Sequence, residues 1–561
     1  MFRRPLWIAI ACGWSILAVA TAPGQSSNPQ ESTAGESELK PVVVAAVSSL
    51  GQLFADAKYA GNLVTAGRAT APIALARGWL NGIDMQRPMG VLFFVEESGP
   101  KGIGCVPVKR FDLLRSKIEQ RLGPAENTGR KIFRFRVIGD TEVYFRESDN
   151  WVFVAEARRH LLKIPQNPER FFQPLIEQET VAIRFDFQAL PESTRDTISQ
   201  EINGLVEQAT ELLNADSAAD NVAGRLRGEL QQQQLKSLTQ LLEDAEAVTV
   251  GIRADREAHR MTARLDLAFT ADSQWAAQRK HGNPESEIDI LQLRHPDAAM
   301  TFFARHRLQG SEQASWKTAS ALFRRQLADA FSRDSENTLG KQIKELSERL
   351  LDEVDRTVGD QTFVISGTLW LQKQIARFGL AVRVSDGRAI EKILNDLIKT
   401  AKENPDFPKV ELNVEKHGDV SMHTASIPLP ESEQEARLVF GPELTVTFGF
   451  GPKTVFLILG DDGVNWLKRQ LADRAPSQLK EGTVMDVVVS LMPLLTNLPD
   501  VDPEKRQQIR RMAQALKDDE GHDQIHVVVS EADLSVQYRL DVSDGVFKLL
   551  GTWLQGMEED R

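Results

Sequence analysis

Cysteine and tyrosine are both scarce in this sequence, with 2 and 3 residues among 561. Cys12 lies in the first apolar segment, so Cys105 is the only cysteine in the rest of the chain. A single thiol cannot form an intramolecular disulfide, which excludes the disulfide-stapled design of small secreted domains. Cys105 stands among apolar neighbours in GIGCVPV. We therefore interpret it as a small buried hydrophobic side chain and not as a nucleophile.

Catalytic and cofactor motifs are also missing. We find no G-x-S-x-G, no H-E-x-x-H, no phosphate-binding G-x-x-x-x-G-K-S/T and no complete G-x-G-x-x-G after a strand. His522 and His526 flank the start of an expected strand, where a spacing of four does not bring two zinc ligands together. Asp461-Asp462-Gly463 lacks the rest of a calcium loop and fits a helix start. We predict no catalytic, cofactor-binding or metal-binding residues and no cofactor.

The chain has no excess of positive charge. Its formal charge is -12, or -14 without Arg3 and Arg4, and no Lys/Arg-rich run occurs. Because phosphate neutralisation supplies much of the affinity for DNA and RNA, we predict no nucleic-acid partner. The acidic groups Asp352-Glu353 and Asp518-Asp519-Glu520 are typical of solvated helix faces, and nothing in the sequence places them in a cleft as a pair of catalytic carboxylates.

One local group of basic residues remains. In KIFRFRVIGD, arginines alternate with apolar residues, which predicts a strand with one buried face and one wet face. The basic residues of this region could bind an acidic polymer or a lipid headgroup; they are Arg130, Lys131, Arg134, Arg136 and Arg146. Alternating charge on a solvated sheet face explains them equally well, and we favour that interpretation.

The N-terminal residues predict export. MFRRPLWIAIACGWSILAVATAPG has a basic start, an apolar run and small residues, which is the pattern of a signal peptide over residues 1–24. The alternative is a retained N-terminal membrane anchor, although the run is short for a bilayer span. Residues 25–40, QSSNPQESTAGESELK, predict a flexible linker. No later run approaches 18 apolar residues, so we expect no transmembrane segment in the mature chain and a periplasmic or cell-envelope location.

The segment from Thr141 to Pro191 indicates the fold. TEVYFRESDNWVFVAE, ARRHLLKIPQNPERFFQPLIEQE and TVAIRFDFQALP predict strand, turn, strand, helix and strand, and a similar order returns in ELTVTFGFGPKTVFLILG, DDGVNWLKRQLADR and TVMDVVVSLMPL. Alternating amphipathic strands favour antiparallel pairing with helices packed on the sheet. We predict an α+β fold of two tandem, duplicated units, residues 41–280 and 288–555, separated near HGNPESE and carrying long helical insertions.

The spacing between the two predicted units is not constant. Val152-Phe153 and Val455-Phe456 are 303 residues apart, whereas Arg264-Leu265-Asp266 and Arg539-Leu540-Asp541 are 275 residues apart. Two amphipathic helices between residues 198 and 242 account for the difference as an insertion. For the strand after Thr180, a shift of 304 aligns the apolar faces and a shift of 303 opposes them, so we prefer 304.

The leader, the polar linker, the WVFVAEARRHLLKIP element with its echo VFLILGDDGVNWLKR, and the closing hairpins together resemble the layout of the large uncharacterised secreted protein families of planctomycete-type bacteria. The resemblance implies no activity and no functional residues. Three classes of function stay open: a non-catalytic envelope protein that binds an unknown protein or polymer through its sheets or helices, a carrier of an apolar ligand between sheet and helices, and an enzyme with an unrecognised site. We favour the first.

Overall fold

The computed structural model describes most of the chain after residue 39. The described residues are 40–65, 80–96, 99–136, 141–197, 200, 204, 244–279, 293, 297–308, 310–332, 338–360, 362–372, 375–402, 409–472, 479–480, 482–497, 503–517, 522–532 and 534–559. Several predictions lie outside them: the signal peptide, the linker apart from Lys40, the boundary at 281–287, the Asp518-Asp519-Glu520 cluster, and nearly all of the two helices expected between 198 and 242.

Ten strands belong to the first half of the chain. They are β1 Val43–Val47, β2 Met89–Glu96, β3 Gly99–Pro107, β4 Glu126–Asn127, β5 Ile132–Arg136, β6 Glu142–Ser148, β7 Trp151–Ala155, β8 Val181–Asp186, β9 Ala245–Asp255 and β10 Arg260–Phe269. The helices described in this half are α1 Leu50–Thr65, α2 Phe111–Leu122, α3 Glu169–Ile176 and α4 Gln274–Arg279, with 3-10 turns at Arg158–Leu161 and Phe187–Ala189.

Ten more strands belong to the second half. They are β11 Ala298–Arg307, β12 Thr362–Gln372, β13 Ile375–Arg383, β14 Lys409–His417, β15 Val420–Pro428, β16 Glu443–Phe450, β17 Thr454–Leu459, β18 Thr483–Ser490, β19 Gln524–Ala532 and β20 Ser535–Ser543. Its described helices are α5 Gly310–Ser332, α6 Thr338–Gly359, α7 Gly387–Ala401, α8 Gln434–Phe440, α9 Gly463–Ala472, α10 Leu491–Asn497, α11 Pro503–Lys517 and α12 Asp544–Glu559.

Local chemistry explains several of these boundaries. Helix α2 ends at Gly123, whose φ of 91° suits glycine because it has no Cβ. Phe111 and Leu114 on α2 are buried, as the three- and four-residue spacing of apolar side chains predicts. Helix α7 begins after Asp386, whose carboxylate accepts hydrogen bonds from the backbone N–H groups of Arg388 and Ala389 at 2.9 and 3.0 Å.

All twenty strands form one antiparallel sheet. Its spatial order is β4-β5-β6-β7-β3-β2-β1-β8-β9-β10-β20-β19-β18-β11-β12-β13-β17-β16-β15-β14. The mixed α+β class with antiparallel pairing is therefore confirmed. The sheet runs without a break through both of the units predicted from the sequence.

The strand order is the same in both directions from the β10–β20 pair. Each strand met on the β10 side has a counterpart at the same distance on the β20 side, and its label is ten lower. At the centre of this pair Arg264 lies opposite Arg539, and the register is regular from Arg260–Ser543 to Ala268–Ser535.

One face of the sheet carries a hydrophobic core at each end, and we call it the core face. In the first half, Phe172 and Leu175 of α3 pack with Leu92, Phe153 and Ala182. In the second half, Trp466 and Leu467 of α9 pack on the strand residues Phe303, Val364, Ala381, Phe456 and Ile458. The register of the intervening strands connects both cores on the same face, with Arg264 and Arg539 midway between them.

Candidate functional site: the open face of the central strands

Between the two hydrophobic cores, the core face is polar. Thr262 donates a hydrogen bond to Asp541 at 2.7 Å, and Gln537 donates one to Asp266 at 2.8 Å. Each central arginine pairs with an aspartate of its own strand: Arg264 with Asp266 at 2.8 Å, and Arg539 with Asp541 at 3.1 Å. Two like charges opposite each other on neighbouring strands repel, so the aspartates on either side offset the Arg264–Arg539 contact.

The polar network extends to the neighbouring strands. His526 on β19 lies 3.1 Å from Asp486 on β18. Glu179, before β8, is buried over Gly251, with Arg264 4.0 Å from its carboxylate, and burial raises the pKa of Glu179. The charged groups of the central sheet are thus largely paired with one another on this face.

The opposite face of the same strands is apolar and only partly covered. We call the following nine residues the open face: Val181, Ile183, Val250, Ile252, Ala263, Leu265, Val527, Tyr538 and Leu540. Five of them are large and well exposed: Ile183 at 49%, Ile252 at 47%, Val250 at 44%, and Tyr538 and Leu540 at 38% each.

The open face is continuous across five strands. Cross-strand register places Ile183 beside Val250, Val250 beside Leu265, and Leu265 beside Tyr538. A second row runs from Val181 through Ile252, Ala263 and Leu540 to Val527. An antiparallel sheet with one wet face normally exposes its polar side. In these strands the large apolar side chains face solvent, and contiguous exposed apolar surface of this kind marks interaction and ligand-binding sites.

A small cluster bounds the open face on one side. Trp275 of α4 stacks on Phe269 with ring centroids 4.8 Å apart, and both belong to a cluster with the buried Val529 and Val536. These two valines continue the apolar side of β19 and β20 beyond the open face. Burial also raises the pKa of the Tyr538 phenol, and the charge of Glu531 adds to the effect.

The two outer edges of the sheet are poor sites for adding a strand. Edge strand β4 has only 2 residues. Edge strand β14 is interrupted between Glu411 and Glu415, where Asn413 has a φ of 53°. Short, charged or bulged edge strands resist pairing with another chain. Recognition through the face of the sheet therefore fits the structure better than recognition through its edges.

A buried carboxylate joins the two ends of the chain. Asp544, the first residue of α12, accepts hydrogen bonds from the Tyr59 hydroxyl on α1 at 2.6 and 2.5 Å and from Nδ1 of His259 at 3.1 Å. Burial, followed by the hydrogen bond to Asp544, raises the pKa of Tyr59. The His259 ring lies 4.6 Å from that of His522. A carboxylate at a helix N-terminus that also accepts three side-chain contacts has a clear stabilising role.

A second polar cluster lies under α7. Glu391 accepts hydrogen bonds from Ser421 at 2.6 Å and from Arg388 at 2.9 Å, and it lies 3.1 Å from Nε2 of the buried His423. Nδ1 of His423 accepts the backbone N–H of Asn413 at 3.1 Å, which assigns the proton of a neutral ring to Nε2. Because the Ser421 hydroxyl points to the carboxylate and not to the imidazole, the arrangement is not that of a nucleophilic serine with its base.

The Glu391 cluster predicts a contribution to acid sensitivity. Burial alone would raise the pKa of Glu391, but hydrogen bonds from Ser421, Arg388 and His423 outweigh it and hold this pKa below the ordinary value of 4.5. Such a carboxylate stabilises the fold above its unfolded pKa, and the contribution is lost as the pH falls through the folded pKa. We expect Glu391→Gln to lower stability at pH 7 and to flatten the loss of stability below about pH 4.5.

Urea denaturation at a series of pH values measures this effect. Glu431→Gln, at an exposed site, is the matched control and should reproduce the parent profile. A Glu391→Gln profile that coincides with the parent at every pH would show that the cluster contributes nothing.

The residues singled out in the sequence lie apart from one another. Cys105 is fully buried in the first core, and burial raises the pKa of its thiol. His522 lies beside His259, whereas His526 lies beside Asp486. Asp462 has a φ of 58° just before α9 and accepts a hydrogen bond from Asn465 at 2.5 Å, and the carbonyl of Asp461 accepts one from Arg377.

The charged clusters are engaged in local pairs. Asp352 binds Arg324 at 2.9 Å, and the buried Glu353 binds Arg356 at 2.6 Å. Arg134 pairs with Glu126 and, at 2.8 Å, with Glu142. Arg146 donates to the carbonyl of Leu162 at 3.0 Å. These contacts agree with the interpretation of the basic group as part of a solvated sheet face.

The open face itself was not singled out from the sequence. Its members were recognised there only as apolar positions of strands, and the alternation that places them on one face was visible. Nothing in a local pattern states which face of a strand the rest of the chain will cover.

Comparisons of the chain with models of protein families, with curated proteins and with solved structures give no match. Within the described parts of the chain, no helix is long and apolar enough to cross a membrane. Within the same residues, no three His, Cys, Asp or Glu side chains come together as metal ligands.

Proposed function

We propose that this chain is a non-catalytic binding protein of the cell envelope, exported by its N-terminal leader, and that it binds through the open face. The observation that carries the proposal is the reversed polarity of the central strands. Their charged side chains pair with one another on the core face, while five large apolar side chains on the opposite face remain well exposed. Exposed apolar surface is unfavourable in water, and covering it with a partner or ligand releases that free energy.

The polar clusters support a binding function over a catalytic one. The Asp544 and Glu391 carboxylates each accept several hydrogen bonds from side chains that hold separate segments together. Their roles are explained by the fold. The predicted layout of leader, linker and tandem units keeps its resemblance to secreted planctomycete-type families as part of the proposal.

We further propose that the two halves arose by duplication. The identical strand order on both sides of β10–β20 supports this. So do the hydrogen bonds from Phe269 N–H to the Leu534 carbonyl and from Asp544 N–H to the His259 carbonyl, which correspond under the 275-residue displacement of Arg264 and Arg539. Two copies of an ancestral unit pairing through one edge strand would form an isologous dimer of this geometry.

The function is tested by affinity capture from the protein's own envelope fraction, with mass spectrometry of proteins and lipids. The variant is the double substitution Ile252→Glu and Leu540→Glu, which places two charges on the open face. Phe323→Glu with Leu350→Glu, at exposed apolar sites on α5 and α6, is the matched control. We expect a species that the parent and the control retain and that the double variant loses.

Recovery of the same species in the same amounts by all three proteins would contradict binding through the open face. Circular dichroism and thermal unfolding of each variant establish that the fold is kept. Because Ile252 and Leu540 are exposed, neither substitution creates a cavity.

A further inference from the structure

The open face is long and narrow. Five strands spaced about 4.8 Å apart extend it roughly 19 Å across the sheet, and its two rows of side chains are about 7 Å apart along the strands. Side-chain width brings the area to roughly 300 Å². On one side it is bounded by the α4 cluster of Phe269, Trp275, Val529 and Val536.

The shape and chemistry of the strip do not suit an extended peptide. All five strands have two neighbours, so their backbone N–H and C=O groups face the adjoining strands of the sheet. The strip offers one polar group, the Tyr538 hydroxyl. A peptide lying on it would bury amide groups without partners, which is strongly unfavourable.

The area does not suit a second copy of the chain. A stable protein interface buries about 800 Å² on each partner, well above the strip's roughly 300 Å². A docked helix covers a width of about 10–12 Å, more than the spacing between the two rows.

The charge does not suit a membrane surface. The chain carries -12 overall, and no residue of the strip is basic. Glu531, which raises the pKa of Tyr538, adds a negative charge beside it. Peripheral proteins reach anionic membranes through basic residues around an apolar face, and such residues are absent from the nine that form the open face.

We propose that the open face binds the hydrocarbon chain of a fatty acid, which lies across the five strands between the two rows of side chains. The inference rests on the binding function proposed above and names its ligand class. A single unbranched chain has no polar groups along its length, it is narrow enough to lie between two rows, and its binding grows with each methylene group removed from water.

The test is a fluorescence titration of the purified protein with cis-parinaric acid, a polyene fatty acid, followed by competition with hexanoic, decanoic and palmitic acids. We expect saturable binding, and competition that tightens with chain length by up to about fourfold for each methylene group that reaches the strip. Ile252→Glu with Leu540→Glu should weaken binding by about tenfold or more, because the strip loses apolar contact at its centre. Phe323→Glu with Leu350→Glu should bind as the parent does.

Nile red, a neutral dye that needs only apolar surface, separates the two levels of the proposal. If Nile red binds the parent and not the double variant while parinaric acid binds neither, the fatty-acid inference is overturned and the binding surface stands. If neither probe distinguishes the double variant from the parent, the open face is not the binding surface. A dimer that the double variant abolishes, or binding of the parent to phosphatidylcholine vesicles without binding of free fatty acid, also overturns the inference.

Discussion

Replacing Asp544 with alanine should lower the free energy of unfolding by about 3 kcal/mol. Asp544 is buried, accepts the Tyr59 hydroxyl and His259 Nδ1, and lies at the N-terminus of α12. The alanine variant leaves the Tyr59 hydroxyl without its acceptor and removes the negative charge from the positive end of the helix dipole. Hydrogen bonds to a charged group contribute about 1.5–3 kcal/mol each, and the helix-end charge contributes up to about 2 kcal/mol.

Urea denaturation measures this effect, and Asp272→Ala is its matched control. Asp272 is an exposed aspartate between β10 and α4, in the first half of the chain, and its removal should change stability by no more than about 0.5 kcal/mol. Tyr59→Phe should be additive with Asp272→Ala but not with Asp544→Ala, because only the latter pair shares a hydrogen bond. Equal stability of the Asp544→Ala and Asp272→Ala variants would contradict the account of this contact.

Strand alternation was sufficient to predict much of the local architecture. The segment from Thr141 to Pro191 forms β6, β7, α3 and β8 in the predicted order. The ladder of pairings from β8 to β18 places Val181 and Ile183 on the same face as Val487 and Met485. This is the parity that the 304-residue shift requires, because residues paired across antiparallel strands share a face.

The way the two halves join could not be predicted. Arg264 and Arg539 are paired across the centre of the sheet, yet they are 275 residues apart, and their identical Arg-Leu-Asp contexts were visible only as a repeat. Strand pairing over such a separation depends on the whole chain and leaves no local signal. A polar face on β10 and β20 predicted contact with solvent, whereas in the fold it forms a network of paired charges.

The polar contacts that close the fold were equally hidden. Tyr59, His259 and Asp544 come from three distant segments and share no motif. The tryptophans were expected to be packing anchors, and Trp151 and Trp466 are buried, but Trp553 is 41% exposed on α12. Burial of one face of a helix or strand depends on which element packs against it, and composition does not contain that information.

Thiol labelling tests most directly whether the open face is uncovered. Ile183 on β8 is exposed, whereas Cys105 is fully buried on the core face of β3 and burial raises the pKa of its thiol, so the natural cysteine is a built-in control. In a protein with Cys12→Ser and Ile183→Cys, we expect maleimide to label residue 183 about a thousandfold faster than Cys105, whose reaction requires the fold to open. Similar slow labelling at both positions under native conditions would show that the open face is covered and would contradict the account.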